Sequence, residues 1–365
     1  MSKHVLIAAA GTAGHMYPAQ ALAKELMEKK GYKVTFAGHN LSSNPYFDKE
    51  NFFYFNAKSP SVCKNPFKFT LNLFVYLFGM FKTLSFLKKQ KIELVVGFGS
   101  YHSFAALLAS VFAKTPYVLF ESNAKLGKVN QVFARKAKLL TYQLFDLAPV
   151  PGVNLQKVSM PFEKGRFSHM DKEEARKSYG LEKKLFTILV FGGSQGALSV
   201  NKLFLESLTK ICTKTKNFQV IHLIGFNTDK AQAIKRYEEL GLKAHVAVYE
   251  EKMSVAYSAC DMVICRAGAN SIYEQLYFKK PAIFIPYPFL PDKHQLYNAR
   301  SVCRDYHAGI TLEQSNLTKS SLAEKILSFM KKENLSFYEK KLQEMDPEKG
   351  QILLSELIAS MCTKK

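Results

Sequence analysis

The sequence predicts an α/β protein made of two Rossmann-like domains with parallel sheets, and three observations carry that prediction. First, apolar strand-like runs alternate with helical segments along nearly the whole chain. Second, the alternation fades in a charged stretch over 158–184 and then begins again. Third, the first strand of each half runs into a glycine-rich turn, at 9–15 and at 192–197. Such alternation implies right-handed βαβ units and parallel sheets.

The first half supplies five predicted strands and two notable helices. An amphipathic pattern predicts the first helix over 18–30, and a long apolar segment at 67–87 predicts another. The predicted strands of this half are 5–9, 34–37, 94–98, 117–120 and 139–142.

The second half repeats the same alternation with five further predicted strands. These are 186–191, 219–224, 244–248, 262–265 and 282–285. Neither glycine-rich turn matches GxGxxG with an acidic residue at the end of the second strand, which argues against a dinucleotide oxidoreductase. Two domains with such turns at strand ends are expected to face each other across a cleft.

Composition narrows the class of protein. A chain of 365 residues with 47% hydrophobic residues is long enough for two globular domains. Its six cysteines show no CxxC and no metal-ligand spacing, so we expect reduced, cytosolic thiols and no metal site. The apolar run at 5–10 is too short for the core of a signal peptide.

The formal charge of +21 fits three kinds of partner: nucleic acid, an anionic membrane surface or an anionic substrate. The chain has no recognisable nucleic-acid-binding motif, and its lysines are spread instead of forming one arm. A generally basic protein without a specific anionic partner is the alternative, so charge alone does not identify the partner.

The segment 67–87 is long enough to suggest a transmembrane helix, but Lys68 and Lys82 argue against spanning. Phe74, Phe78 and Phe81 recur at helical spacing with lysines on the flanking turns. That pattern predicts a helix lying in the interface of an anionic membrane. A helix packed into the core of the first domain is the alternative, and different faces of one helix can do both.

The segment 266–274, RAGANSIYE, follows an apolar strand and opens a helix. Such a turn points several backbone N–H groups and the positive end of a helix dipole at one spot, which suits a diphosphate. Glu274 lies about one turn into that helix, where a carboxylate can accept hydrogen bonds from a ribose diol. An ordinary helix cap with a surface glutamate is the alternative.

Six segments in this order resemble the MurG family of bacterial glycosyltransferases. They are AGTAGHMYPA (10–19), GFGSYHS (97–103), FESN (120–123), GGSQGA (192–197), CRAGANSIYE (265–274) and DKHQLYNA (292–299). The resemblance implies a two-domain GT-B fold and inverting transfer of N-acetylglucosamine from UDP-N-acetylglucosamine to undecaprenyl-diphospho-N-acetylmuramyl pentapeptide, a step of peptidoglycan synthesis. It also implies peripheral attachment to the cytoplasmic face of the bacterial plasma membrane, through Phe74, Phe78, Phe81 and Lys82.

The resemblance also assigns domains and site residues. It implies an acceptor- and membrane-side domain of 1–160 plus a returning C-terminal helix of 337–365, and a UDP-sugar domain of 161–336. The implied acceptor-binding residues are Gly11, Gly99, Ser100 and Tyr101. The implied donor-binding residues are Thr12, Ala13, Gly14, Asn123, Ser194, Glu250, Ala269, Asn270, Ser271, Ile272, Tyr273, Glu274 and Gln295.

Inverting transfer needs a base for the attacking hydroxyl, and His15 is the candidate, with Glu121 as the alternative. A helix starting near Pro18 would keep a preceding imidazole neutral and able to accept a proton. Because the chain has no Asp-x-Asp motif at a strand end, we expect no required cofactor, although divalent ions could assist.

The chain departs from the family pattern at two places. Phe120 and Ser122 stand where the family has His and Gln, and Glu163 stands where it has an Arg that binds the donor. Rival interpretations are another UDP-sugar lipid glycosyltransferase, a UDP-N-acetylglucosamine 2-epimerase and a non-catalytic membrane-bound scaffold.

Overall fold

The computed structural model describes residues 3–60, 66–159, 167–193, 196–289, 292–346, 349 and 351–363. The chain divides into two compact units. The first comprises Met1–Glu163 together with Glu348–Lys365, and the second comprises Lys164–Pro347.

The first unit alternates strands and helices from its first residues. Its strands are β1 (His4–Ala8), β2 (Lys33–Gly38), β3 (Phe53–Asn56), β4 (Leu94–Gly97), β5 (Tyr117–Glu121), β6 (Leu139–Tyr142) and β7 (Leu155–Ser159). Its helices in this stretch are α1 (Ala13–Lys30), α2 (Pro66–Lys89), α3 (Phe104–Ala113) and α4 (Lys128–Phe133).

The second unit repeats the alternation. Its strands are β8 (Phe186–Phe191), β9 (Phe218–Leu223), β10 (Ala244–Ala247), β11 (Met262–Cys265), β12 (Ala282–Phe284) and β13 (Gly309–Thr311). Its helices are α5 (Lys172–Ser178), α6 (Leu198–Cys212), α7 (Lys230–Leu240), α8 (Met253–Ala259), α9 (Ala269–Tyr277), α10 (His294–Asp305), α11 (Lys319–Met330) and α12 (Lys332–Gln343).

The chain then returns to the first unit through β14 (Ile352–Leu353) and α13 (Leu354–Thr363). Ile352 pairs with Val158 of β7, and the hydroxyl of Tyr32 donates to the carbonyl of Ala359 in α13. The resemblance assigns the whole of 337–365 to the first unit, whereas the second unit extends to Pro347 in the structure. The reason is packing: the Tyr338 ring of α12 stacks on Phe329 of α11 at 4.9 Å, which holds α12 in the second unit.

Both sheets are parallel, which confirms the predicted fold class. The first has the order β14-β7-β6-β5-β4-β1-β2-β3, and the second has the order β10-β9-β8-β11-β12-β13. The chain changes direction across the sheet between β1 and β4 in the first unit and between β8 and β11 in the second. In parallel α/β sheets, ligands bind outside the carboxyl ends of the strands at these switch points.

Apolar strands buried on both faces form the core of each unit. Every residue of β1 is buried, as is every residue of β4, β5 and β11. Helices covering both faces of a parallel sheet require such continuous apolar runs. The same runs made these strands predictable from sequence, whereas the short strands β3 and β13, near the sheet edges, are too irregular to be predicted.

The first helix differs from its predicted start. It begins at Ala13, not near Pro18, because the carbonyl of Thr12 accepts hydrogen bonds from the backbone of His15 at 3.0 Å and Met16 at 3.1 Å. Pro18 lies inside the helix, where it removes one backbone donor without ending the helix. His15 therefore lies in the first helical turn.

Candidate functional site

The turn between β11 and α9 is fixed from three sides. The buried guanidinium of Arg266 donates to the carbonyls of Ile285 at 2.9 Å and Pro286 at 3.2 Å, and to the hydroxyl of Ser199 at 3.0 Å. Asn298 of α10 donates its side-chain amide to the carbonyl of Ala267 at 3.1 Å. Burial lowers the pKa of Arg266 to about 10, so the side chain keeps its positive charge at neutral pH.

The helix α9 starts at the switch point of the second sheet, with Gly268 as its N-cap. The backbone N–H groups of its first turn and the positive end of its dipole therefore lie where this fold binds ligands. Of the six predicted residues, Ala269, Ile272 and Tyr273 bury their side chains in the core. Asn270, Ser271 and Glu274 are partly exposed.

Glu274 lies on the wall of a cavity of about 400 Å³ within the second unit. Tyr257, Met253 and Phe278 contribute to the same wall. The hydroxyl of Tyr257 donates to the Glu274 carboxylate at 3.4 Å, and burial raises the pKa of this tyrosine, which keeps it a neutral donor. The cavity volume falls in the range of small-molecule sites.

The glycine-rich turn after β8 is tight, as its sequence predicts. A Cβ on Gly192 would lie 2.2 Å from the backbone nitrogen of Ala197, so only glycine fits. Gly193 and Gly196 adopt positive φ values of 85° and 75°. The predicted diphosphate contact Ser194 lies outside the described residues.

The remaining donor candidates of the second unit make defined contacts. Glu250 accepts hydrogen bonds from the Tyr179 hydroxyl at 2.9 Å and from the Lys252 backbone at 2.8 Å. Gln295 accepts one from the backbone of Tyr287 at 2.9 Å, and the ring of Tyr287 faces Arg266. Gln295 is thereby tied to the loop that Arg266 supports.

The switch point of the first sheet brings two predicted acceptor turns together. Gly11 has φ +100°, and a Cβ added there would lie 3.3 Å from the hydroxyl of Ser100. Gly99 and Ser100 also adopt positive φ, and a short 3-10 turn at Tyr101–Ser103 follows them. His15 is half-buried on the neighbouring helical turn, with Nδ1 3.3 Å from the Thr12 hydroxyl.

Glu121, the alternative base, is only 4% exposed at the end of β5. Its Oε1 accepts from the backbone and side-chain amide of Asn123 at 3.1 and 2.9 Å. Its Oε2 accepts from the Gly127 backbone and the Asn130 amide, both at 2.9 Å. Four donors fill the lone-pair positions of the carboxylate, so this side chain stabilises the chain segment that follows it.

The substituted position Phe120 has a packing explanation. Its ring is buried against Phe98, with the ring centroids 5.1 Å apart, so apolar packing replaces the polar group of the family pattern. The other departure, Glu163, lies outside the described residues.

Helix α2 has one buried face, as the core interpretation of 67–87 predicts, and one exposed apolar face, on which the membrane prediction depends. Met80, Thr83 and Leu87 are buried, whereas Phe74, Phe78 and Phe81 are each at least 60% exposed. Lys82 is exposed on the same side. Within the described part of the chain, no helix is long and apolar enough to cross a membrane.

Sequence reasoning missed several residues that the structure brings to these sites. Tyr257 carries no local signal because it lies seventeen positions before Glu274 on another helix. Asn298 and Arg266 are inside the quoted motifs, but only the fold shows that they support one turn. Among the described residues, no group of three or more His, Cys, Asp or Glu side chains is placed to hold a metal ion.

Two Rossmann-like units in one chain, each with a glycine-rich turn at its switch point, fit the class of GT-B glycosyltransferases. The model of the glycosyltransferase family 28 N-terminal domain matches residues 5–141, and that of the C-terminal domain matches residues 187–351. Because these matches span more than half of the chain, the protein belongs to glycosyltransferase family 28.

Two curated relatives share one name, UDP-N-acetylglucosamine--N-acetylmuramyl-(pentapeptide) pyrophosphoryl-undecaprenol N-acetylglucosamine transferase. The relative from Protochlamydia amoebophila is 38% identical over 302 residues, 82% of this chain and 80% of its own. The relative from Rickettsia felis is 32% identical over 363 residues, 98% of this chain and 99% of its own.

Solved structures give the same fold. Acinetobacter baumannii MurG superposes with a TM-score of 0.78 at 25% identity, covering all of both chains. Os79 from O. sativa, solved with UDP, has a TM-score of 0.73 at 12% identity over 99% of both chains, which shows the fold alone.

Proposed function

We propose that this protein transfers N-acetylglucosamine from UDP-N-acetylglucosamine to the C4 hydroxyl of undecaprenyl-diphospho-N-acetylmuramyl pentapeptide, a step of peptidoglycan synthesis. The observation that carries the proposal is the match to relatives of that name over nearly the full chain. The switch-point turns and the cavity beside Glu274 support it, since they offer a diphosphate site and a diol-binding carboxylate in one unit.

The proposed donor site lies in the second unit. The first-turn amides of α9 bind the diphosphate, and Glu274 accepts hydrogen bonds from the ribose hydroxyls. The main chain at Tyr249 and Glu250 meets the uracil, while the Glu250 side chain stays bound to Tyr179. Gln295 binds hydroxyls of the sugar through its amide.

The proposed acceptor site lies in the first unit, at Gly11–Gly14 and Gly99–Tyr101. The C4 hydroxyl attacks the anomeric carbon opposite UDP, the new C–O bond forms as the bond to the diphosphate breaks, and the centre inverts. His15 takes the hydroxyl proton, because its position in the first turn of α1 disfavours the imidazolium before reaction. Glu121 is the weaker candidate, since its oxygens already accept four hydrogen bonds.

The helix N-termini stabilise the charge of the leaving UDP in this proposal, so no metal ion is required. Turnover that survives removal of divalent ions by a chelator supports this. Loss of turnover with the chelator, restored by Mg²⁺, contradicts it.

The decisive experiment measures UDP release from UDP-N-acetylglucosamine with and without the lipid-linked muramyl pentapeptide. Acceptor-dependent release is the expected result. Release with a different lipid acceptor favours another lipid glycosyltransferase. Donor binding without any release favours the epimerase, whose product still carries UDP, or a non-catalytic scaffold.

We also propose a peripheral location on the cytoplasmic face of the plasma membrane, with the exposed face of α2 on anionic lipid. Phe78 and Phe81 are 62% and 60% exposed beside Lys82, and burying such rings in a bilayer interface is favourable. Changing both phenylalanines to serine should weaken binding to anionic vesicles about 10-fold or more.

The matched control for vesicle binding is Phe226→Ser, because Phe226 is also largely exposed, at 73%, but lies in the second unit. The control should bind vesicles like the wild type. The double α2 variant should still turn over a short-chain acceptor. Undiminished vesicle binding by the double variant contradicts the proposed location.

A further inference from the structure

Two histidines of the first unit are held by the backbone of one residue, Ser59. The backbone N–H of the buried Ser59 donates to Nδ1 of His39 at 3.0 Å, and the carbonyl of Ser59 lies 3.0 Å from Nδ1 of His102. The two rings stack with centroids 5.3 Å apart and planes 11° apart. His39 follows β2, and His102 lies in the turn after β4, on either side of the β1 switch point.

The backbone N–H and C=O of Ser59 fix opposite tautomers in the two rings. Because an N–H only donates, Nδ1 of His39 must carry a lone pair and its proton sits on Nε2. Because a carbonyl only accepts, Nδ1 of His102 must carry a proton. In the neutral ring, Nε2 then carries a lone pair. Burial, together with the charges of His102 and Lys58, lowers the pKa of His39, which keeps that ring neutral.

The free edge of the His102 ring faces the glycine-rich turn. A Cβ on Gly11 would lie 3.1 Å from Cδ2 of His102 and 3.9 Å from its Nε2. Nε2 has no hydrogen-bond partner in the part of the chain that the structure describes. The hydroxyl of Ser100 reaches the same side of Gly11, so two polar groups converge on this turn.

Ser59, whose backbone holds both histidines, is itself fixed by neighbouring segments. The Ser59 hydroxyl donates to the carbonyl of Tyr101 at 2.6 Å and accepts from the backbone of Ala105. On the other side, α2 approaches so closely that a Cβ on Gly79 would lie 2.3 Å from the carbonyl oxygen of Lys58. The His102 ring therefore has one defined orientation.

We propose that His102 is a further acceptor-binding residue, whose Nε2 takes up a proton from solvent and donates it in a hydrogen bond to an anionic diphosphate oxygen at the Gly11–Gly14 turn. His39 and Ser59 are positioning residues. This inference rests on the proposed function, which puts the acceptor's diphosphate at this turn. Among the described residues, the titratable groups around the pair are Lys58, Tyr76 and Tyr101, with His15 on the turn itself. This set contains no carboxylate to oppose an anion.

Two substitutions distinguish the proposed contact of Nε2 with the anion from the hydrogen bond of Nδ1 to Ser59. His102→Asn keeps a donor where Nδ1 meets the Ser59 carbonyl but removes Nε2. It should raise the KM for the lipid acceptor about 10-fold or more, as loss of a charged hydrogen bond does. The KM for UDP-N-acetylglucosamine and the thermal midpoint should stay unchanged. His102→Gln, whose amide reaches further, should recover part of the acceptor affinity.

The positioning role of His39 is tested in the same assay. His39→Asn keeps an acceptor for the Ser59 N–H but removes the stacked ring, so it should raise the acceptor KM less than His102→Asn does. An acceptor KM within the wild-type range for His102→Asn overturns the inference. Failure of the proposed function is distinguishable, because the wild type would then show no acceptor-dependent UDP release.

Proton uptake gives a readout that does not depend on turnover. The full-length protein is saturated with UDP, and inorganic pyrophosphate is titrated calorimetrically in two buffers with different ionisation enthalpies. The wild type should take up more protons per pyrophosphate bound than His102→Asn does. Equal uptake by the two proteins, or no pyrophosphate binding by the wild type, overturns the inference.

Discussion

Two glutamates at the carboxyl edges of the two sheets differ in exposure. Glu121, at the end of β5, is 4% exposed, and the loop and helix α4 that follow it supply four hydrogen-bond donors. Glu274, on the helix after β11, is partly exposed on the wall of a cavity. A buried carboxylate with four donors stabilises the segment around it, whereas one on a cavity wall is placed to bind a ligand. Position in a motif does not distinguish the two cases, but exposure does.

The surroundings of the two switch points extend this contrast. The first unit presents His15 and His102 around Gly11. The carboxylate of the predicted site in this unit, Glu121, accepts hydrogen bonds from the segment that follows it. The second unit presents a helix N-terminus supported by the buried Arg266, together with Glu274. The first set suits proton transfer and an anionic acceptor, and the second suits a nucleotide.

The largest expected effect tests whether His15, and not Glu121, is the base. His15→Ala should reduce turnover about 10²-fold or more, because general-base catalysis contributes that much. The affinity for UDP-N-acetylglucosamine should barely change. Steady-state kinetics and donor titration measure both quantities.

Glu121→Gln is the comparison variant for this experiment. An amide cannot accept all four hydrogen bonds, so the variant should lose about 1–3 kcal/mol of unfolding free energy. In Glu121→Gln, turnover should still fall as the pH decreases, as in the wild type. In His15→Ala, this fall of turnover at low pH should be lost. The reverse result would make Glu121 the base.

The second prediction concerns the other glutamate. Glu274→Ala should weaken UDP binding by about 1–3 kcal/mol, because charged hydrogen bonds to the ribose are lost. Calorimetric titration with UDP measures this. Glu324→Ala, which removes an exposed glutamate of the same unit, should bind UDP like the wild type. Normal affinity in Glu274→Ala would mean that the ribose binds elsewhere.

The sequence was sufficient for the parts of the fold that depend on local pattern. Continuous apolar runs predicted the central strands, and the residues around Gly268 predicted the turn that opens α9. The start of α1 was predicted five residues too late, because a proline inside a helix resembles a proline at its first turn. The later return to the first unit depends on packing between α11 and α12, which no local pattern reveals.

The sites were predictable only in part, for a related reason. Glu121 lies inside a quoted motif, but its saturation depends on Gly127 and Asn130, six and nine positions further on. His39 and His102 are separated by sixty-three positions and are joined only through Ser59. Hydrogen bonds between distant segments leave no periodicity in the sequence, so the difference between a loop-folding and a ligand-facing side chain appears only in the folded chain.

The smallest expected effect concerns a buried histidine that is not among the predicted site residues. His222 of β9 is fully buried, with Nδ1 2.9 Å from the Tyr237 hydroxyl and Nε2 3.2 Å from Oδ1 of Asn201. Burial lowers the pKa of His222 to about 3. Its pKa in the unfolded chain is about 6.5, so below that pH the unfolded state binds the proton first. Stability present above pH about 6.5 is therefore lost as the pH falls, by up to about 1.4 kcal/mol per pH unit.

Urea unfolding between pH 7 and pH 5.5 measures this slope before most carboxylates titrate. His222→Gln, whose amide can both donate and accept, should flatten the slope for the second unit. Because the hydrogen-bond partners of His222, Tyr237 and Asn201, are not predicted donor-binding residues, UDP affinity at pH 7 should not change. An identical slope in the wild type and the variant would show that acid sensitivity arises elsewhere, and the histidines His4 and His39 of the first unit, whose pKa values burial also lowers, would be the next to test.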